Sequence, residues 1–285
     1  MPLKKYFNAD LRKCNADTRR LTDYVLCDNL RYLPQADNCD HLRLGNGAFE
    51  SMRAYNGKIF KLNEHIGRLA ESCKALGMER PVQIEEIKRR ILRDLSKSKL
   101  KNAYIRCAVT PAGINVIVKE IHRYPQELYT NGVTVICVPT RKNSSGARIK
   151  SQNFLSGVLA RIEGGDAFEC LMLNIEGYVA EGTVSNFFIV KCKTLFTVPP
   201  YIGILDGITR RSVIALAGKL GIETKETPLS RYDIYTADEV FLTNTSIEIM
   251  PVVNVDARVI GDGRVGELTK KLSSAFAKLT KGGAQ

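Results

Sequence analysis

The chain has 285 residues, 44% hydrophobic and 25% charged, with a formal net charge of +12 at pH 7; these are proportions of an ordinary globular protein with a sizeable core. No apolar run approaches the roughly 20 residues that cross a bilayer, and the opening MPLKKYFNADLRKCNADTRR lacks the apolar stretch of a secretory signal, so a cytoplasmic protein is expected, with no membrane partner. Eight scattered cysteines without a C-x-x-C pair, beside three histidines, argue against a metal site or a disulfide framework and read as small apolar thiols; basic residues spread along the chain without a nucleic-acid motif read as solvated surface that attracts anionic substrates.

In chain order, AFESMRAYNGKIFKL (48–62) predicts two strands around Asn56-Gly57, a strong hairpin turn signal. Asn63 then caps a helix whose inner face carries Ile66, Leu69, Cys73 and Leu76, ended by Gly77. A second helix turns Ile84, Ile87, Ile91 and Leu95 inward and leads to the strand NAYIRCAVT, whose alternation puts Tyr104 and Arg106 on one face. HRYPQELYTNG punctuates the chain at 122–132. It suggests a smaller N-terminal domain over 1–124, a linker over 125–131 and a larger C-terminal domain over 132–285.

The second part predicts strands VTVICVP, ECLMLNI, NFFIVK, TLFTV and EVFLTN, with helices starting at Thr209 and running over 266–279. Between the first two strands lies ARIKSQNFLSGVLARIEG, where Phe154, Leu155, Val158, Leu159 and Ile162 recur at helix-face spacing. That spacing predicts a buried helix with Lys150 at its entrance. The class is α+β, two domains with a cleft between them, where ligand sites tend to form.

Several segments carry candidate chemistry. GILDGITRRSVIALAGKLG puts Ile208 and Thr209 at a helix start, where amides without internal partners and the positive dipole end can hold phosphate. No Walker-type Gly-Lys-Ser/Thr follows, which argues against a nucleoside triphosphate. GYVAEGTVSNFFIV sets Glu181 after a short strand, where a carboxylate can hold a cationic nitrogen or simply face solvent. EVFLTNTSIEIMPV ends a strand in Thr243, Asn244, Thr245 and Ser246, suited to an oxyanion or to any tight turn. With Lys150 as a nucleophilic amine and Arg53 on the hairpin, these are the parts that pyridoxal phosphate requires.

The order and wording of six segments resemble the class IV (fold type IV) pyridoxal-phosphate aminotransferases, the group of branched-chain and D-amino acid aminotransferases and aminodeoxychorismate lyase. They are GNGAFESMRAYNGKIFKLNEHIGRL, KSQNFLSGVLA, GYVAEGTVSNFF, ILDGITRR, LSRYDIYTADEVFLTNTSIEIMPV and GDGRVGELTKKL, spread over about residues 40–276. The resemblance implies a D-amino acid aminotransferase-like fold, α+β with the cofactor in the interdomain cleft, and a homodimer. Lys150 matches the Schiff-base lysine, projecting from a strand end, and Glu181 matches the partner of the pyridine nitrogen. Arg53, Ile208, Thr209 and Thr245 match the phosphate cup, and Asn186 a residue near the cofactor. Thr245 and Ser246 resemble a turn whose amides receive the substrate carboxylate. Tyr104 and Arg106 resemble the Tyr-x-Arg strand of branched-chain aminotransferases, where the arginine meets the side-chain carboxylate of glutamate.

The implied activity is transamination between a branched-chain L-amino acid and 2-oxoglutarate. D-amino acid transamination and lysis of aminodeoxychorismate stay open as alternatives, as does a paralogue that binds ligands without turnover. The short KSQNF spacing is closer to the D-amino acid branch, and Phe154 stands where a tyrosine is frequent.

Overall fold

The computed structural model describes residues 24–26, 32–34, 47–78 and 83–282. The reading of Cys14, Cys27 and Cys39 as apolar thiols lies outside those residues. Strands β1 (Tyr24–Leu26) and β2 (Tyr32–Pro34) pair antiparallel.

Asn56 and Gly57 take left-handed φ values of 49° and 82°, which lets β3 (Ala48–Tyr55) fold back onto the short β4 (Lys58–Ile59). Helix α1 (Leu62–Ala75) follows, but Asn63 does not cap it. The helix starts two residues earlier than that cap would set, behind Lys61, which sits in the left-handed region with no side-chain cap. Ile66, Leu69 and Cys73 are buried as expected. In α2 (Ile84–Ser98), Ile87, Ile91 and Leu95 are buried, while Ile84, at the first position of the helix, is exposed. Both helices pack on a four-stranded antiparallel sheet in the order β4-β3-β5-β6, with β5 (Ala103–Thr110) central and β6 (Gly113–Glu120) at the edge.

Part of the expected linker forms a short helix, α3 (Gln126–Asn131), closed by Gly132. Among the described residues, the rest builds a nine-stranded mixed sheet. It contains β7 (Val133–Arg141), β8 (Glu169–Leu173), β9 (Val179–Gly182) and β10 (Asn186–Lys191). Strands β11 (Thr194–Thr197), β12 (Thr224–Glu226), β13 (Glu239–Asn244), β14 (Glu248–Val255) and β15 (Arg258–Val259) complete it. Strand β7 runs parallel to both β14 and β8, whereas β8 and β9 are antiparallel.

One face of this sheet buries aliphatic residues under the loops and the short helix α6 (Arg231–Tyr235). The other packs α5 (Ile208–Lys219) and α7 (Glu267–Lys281) over Phe188 and Phe241, whose rings stack 4.9 Å apart. No helix among the described residues is long and apolar enough to cross a membrane.

The helix after Lys150, α4 (Leu155–Gly164), departs from expectation. Leu155, Leu159 and Ile162 face outward, at 65%, 46% and 65% exposure, and the buried residues are Gly157, Ala160 and Gly164. Small residues let the helix lie close on β7 and β8. A Cβ on Gly164 would sit 2.0 Å from Cys170 Sγ. Gly164→Ala is therefore expected to destabilise the fold by about 1–3 kcal/mol through overpacking. Denaturant unfolding should show this, while Gly146→Ala, with nothing within 4 Å of the new methyl, should be near neutral.

Candidate active site

A cavity of about 480 Å³ lies between the two sheets, within the about 300–1,000 Å³ of small-molecule sites. Phe49 of β3 and Arg68 of α1 reach it from the smaller sheet. Glu181, Asn186, Ile208, Thr209, Thr243 and Thr245 reach it from the larger one. The segment from Thr140 to Ser156 brings Lys142 and Lys150 to the wall.

Lys150 belongs to a loop, not to the strand end expected for it. The loop is pinned nonetheless: Phe49 N donates to Lys150 O at 2.9 Å and Gln152 N to Gly47 O at 2.8 Å. Lys150 N donates to Ser72 Oγ of α1 at 3.2 Å. Its Nζ lies 4.7 Å from the Phe49 ring centre. The Arg106 guanidinium covers the same ring at 3.8 Å, so one aromatic side chain connects the two cations.

Glu181 lies near the end of β9 and is buried. Its Oε2 accepts from Asn186 Nδ2 at 3.1 Å and from Leu205 N at 2.9 Å, and its Oε1 pairs with Lys142 Nζ at 2.7 Å. Asn186 also donates to Leu205 O at 2.8 Å. It thus ties Glu181 to the loop that leads into α5. That helix begins at Ile208, one residue before the predicted start, with Gly207 as an N-cap that offers no side-chain oxygen. Its first amides therefore lack an internal partner and open on the cavity.

Not every expected residue comes to this cavity. Arg53 is absent from its wall. Its Nη1 pairs with Glu248 Oε1 at 2.8 Å, and its guanidinium covers Tyr55 at 4.6 Å. The physical reason is distance along β3. Phe49 and Arg53 share a face of the strand, but four residues of extended chain separate them by about 13 Å. Phe49 therefore meets the cavity while Arg53 lies at the β13–β14 turn, where Glu248 engages it. Ser246 is also off the wall. Its amide donates to Asn244 Oδ1 at 2.7 Å, as does that of Ile247 at 2.8 Å, so an Asn244 side chain closes this turn. Thr245 lines the cavity, with its hydroxyl donating to Ser51 O at 3.0 Å. Tyr104 and Arg106 are buried behind the lining, and the Tyr104 hydroxyl meets Ser51 Oγ at 2.8 Å.

Besides Arg141, the arginine that lines the cavity is Arg68. Its Nη1 donates to Asp206 O at 2.8 Å, beside the start of α5. The signal in the sequence was a polar stripe, His65, Arg68 and Ser72, at i, i+3 and i+7 on the helix otherwise recognised by its apolar stripe. Behind Arg68, Glu50 is fully buried and bonds both Arg68 and His65. Burial pushes the Glu50 carboxyl up, but Arg68 and His65 outweigh it and hold its pKa at about 2. Burial pushes His65 down, and the attraction of Glu50 only partly offsets this.

Both folded-state values are depressed, so both groups contribute stability that is complete above their ordinary values and lost as pH falls. For His65 the loss starts as pH drops below its ordinary 6.5, and for Glu50 it spans 4.5 down to about 2. Chemical denaturation between pH 7 and 3 is expected to show progressively lower stability on the acid side. A flat profile would contradict the assignment.

A mixed α+β fold, a lysine and a carboxylate on one cavity, and an uncapped helix start beside a guanidinium are features that a pyridoxal phosphate enzyme requires. Residues 47–255 match the family Amino-transferase class IV, and the chain belongs to that family. A putative branched-chain-amino-acid aminotransferase from Methanocaldococcus jannaschii is 42% identical over 254 residues, spanning 83% of this chain and 88% of its own. The branched-chain-amino-acid aminotransferase of Pseudomonas aeruginosa is 34% identical, spanning 93% and 90%. The crystal structure of the T.th. branched-chain amino acid aminotransferase with pyridoxamine 5'-phosphate superposes with a TM-score of 0.82 at 30% identity, covering 90% of this chain and 93% of that one. The same enzyme complexed with N-(5'-phosphopyridoxyl)-L-glutamate gives 0.79 at 29%, with the same coverage.

The protein is a pyridoxal-phosphate-dependent aminotransferase. Its own residues fit that cofactor. Thr243 Oγ1 is buried on the cavity wall without a hydrogen-bond partner. With the α5 amides and Arg68 it would form a donor set for phosphate, and Lys150 and Glu181 would supply the amine and the carboxylate.

Proposed function

We propose that the chain moves the amino group of a branched-chain L-amino acid to 2-oxoglutarate, with the cofactor in the cavity between the two sheets. The observation that carries this reading is the convergence of Lys150, Glu181, Arg68 and the α5 N-terminus on one cavity. The bound cofactor supplies an electron sink for the bonds at the substrate α-carbon. Arg68, Thr243 and the amides of Ile208 and Thr209 would hold the phosphate, with Thr245 beside them on the wall. Glu181, kept in place by Asn186 and Leu205, holds a proton on the ring nitrogen. Lys150 would hold the cofactor through its amine, and the same amine would move the proton at the substrate α-carbon. A first amino acid leaves as its keto acid, and a second keto acid takes the amino group in a ping-pong order.

Two observations support the substrates. Arg106 is 5% exposed with a buried Nε that has no partner, and it lies over Phe49, which lines the cavity. A glutamate side chain reaching past that ring would meet it. The T.th. complex holding a phosphopyridoxyl adduct of L-glutamate agrees with a five-carbon dicarboxylate as one substrate. The test is a half-reaction screen of the holoenzyme. L-leucine, L-valine, L-isoleucine and L-glutamate should bleach the visible band of the bound cofactor. Bleaching by D-alanine or D-glutamate alone would transfer the assignment to the D-amino acid branch.

The division at 124 and 132 belongs to the same reading, supported by the separate cores of the two sheets. So does a homodimer. Leu155, Leu159 and Ile162 form an exposed apolar stripe on α4, directly after the cavity loop, and a second copy would cover it. Leu155 and Leu159 also border the cavity, so the same copy would narrow its mouth. Leu159→Glu with Ile162→Glu should shift the mass in solution from dimer to monomer. An unchanged dimer would place the interface elsewhere.

A further inference from the structure

We propose that Glu50 is a positioning residue: through a buried fork it sets the orientation in which Arg68 receives the cofactor phosphate. This rests on the reading of Arg68 and the α5 N-terminus as the phosphate site.

Glu50 is fully buried on β3. Its Oε1 accepts from Arg68 Nε at 2.6 Å, and its Oε2 from Arg68 Nη2 at 2.8 Å. His65 Nδ1 meets Oε2 at 2.6 Å. A buried carboxylate is costly to desolvate, by several kcal/mol, and this one does not reach the cavity wall. What it provides is geometry. An arginine has five N–H donors in a rigid plane. Nε and one hydrogen of Nη2 go to Glu50, and one hydrogen of Nη1 goes to Asp206 O at 2.8 Å. One N–H remains on each Nη, and Arg68 lines the cavity. Two donors on adjacent nitrogens suit a two-oxygen contact with phosphate.

The arrangement also fixes where that pair points. Without Glu50 the long side chain regains rotamer freedom, and its ordering would oppose binding. Asp206 alone, bonded through one Nη1 hydrogen, leaves the plane free to turn. His65 completes the anchor from the same helix face, one turn before Arg68. Ser72, one turn after, holds the backbone of Lys150. Helix α1 therefore links the phosphate end of the cavity to the amine end, and Glu50 locks that helix face to β3.

The test compares two ligands on the full-length apoprotein, pyridoxal 5'-phosphate and pyridoxal, which lacks the phosphate. Dissociation constants are read from absorbance titration. Wild-type protein should prefer the phosphorylated form strongly. In Glu50→Gln, affinity for pyridoxal 5'-phosphate should weaken by about tenfold to a hundredfold, the worth of a misplaced charged hydrogen-bond pair, while pyridoxal binding stays within about twofold. A merely structural role would weaken both ligands alike and leave their ratio unchanged, which overturns the proposal. A wild-type protein with no preference would instead remove the phosphate site itself. Should Glu50→Gln fail to fold, Glu50→Asp keeps the charge but withdraws the fork by one methylene. The same selective loss is expected there, and a wild-type ratio would again overturn the proposal.

Discussion

Lys150→Ala is expected to lower transamination by at least about 10⁴-fold and to leave a folded protein. The loss combines covalent attachment and proton transfer at the α-carbon, and positioned proton transfer alone contributes about 10²–10⁴-fold. The fold should survive because the loop is held by backbone groups of Lys150, Phe49, Gly47 and Gln152 and by Ser72 Oγ, none of which the substitution removes. Turnover and thermal unfolding of the same preparation check both halves. A variant that retains more than about a hundredth of wild-type activity would mean that another amine does this work.

Glu181→Gln should reduce turnover by about 10²–10³-fold, the range seen when one preorganised electrostatic group is removed. Glutamine has the shape of glutamate and can still accept from Leu205 N, but it cannot hold a proton on a ring nitrogen. It also leaves Lys142 without its carboxylate, an unpaired cation near the ring position that further disfavours a protonated nitrogen. The ring nitrogen of ¹⁵N-labelled cofactor, followed by NMR, should shift from the protonated to the neutral range in the variant. A protonated nitrogen in both proteins would show that Glu181 has a different task.

Much of this was legible before the structure. Asn56-Gly57 specifies its own backbone, so the hairpin could be read directly. Ile87, Ile91 and Leu95 keep helical spacing and are all buried. The order of the segments around Lys150, Glu181 and Ile208 pointed to the cofactor. Less legible was the direction in which several side chains face. The apolar stripe of α4 was expected inward, but close packing is supplied by Gly157, Ala160 and Gly164, which carry almost no hydrophobic signal.

The arginines show a related gap. Arg53 and Arg68 lie on neighbouring elements, and which of them borders the cavity depends on how far along its element each one sits. Sequence spacing does not contain the contact to Asp206 that brings Arg68 to α5, nor the one to Glu248 that holds Arg53 at the β13–β14 turn. Strand β6 was missed because its residues are mostly half-exposed at a sheet edge, which blurs any alternation. The cap of α1 was misplaced because Lys61 enters the left-handed region, a choice rare for lysine and invisible to capping rules.

The central claim is tested most directly by reducing the holoenzyme with borohydride and mapping the tagged peptide by mass. Two lysines, Lys142 and Lys150, line the cavity, so the measurement discriminates between close neighbours. Lys142 is engaged by Glu181 at 2.7 Å, and the tag is therefore predicted on Lys150. A tag on Lys142, or none on either residue, would contradict the account.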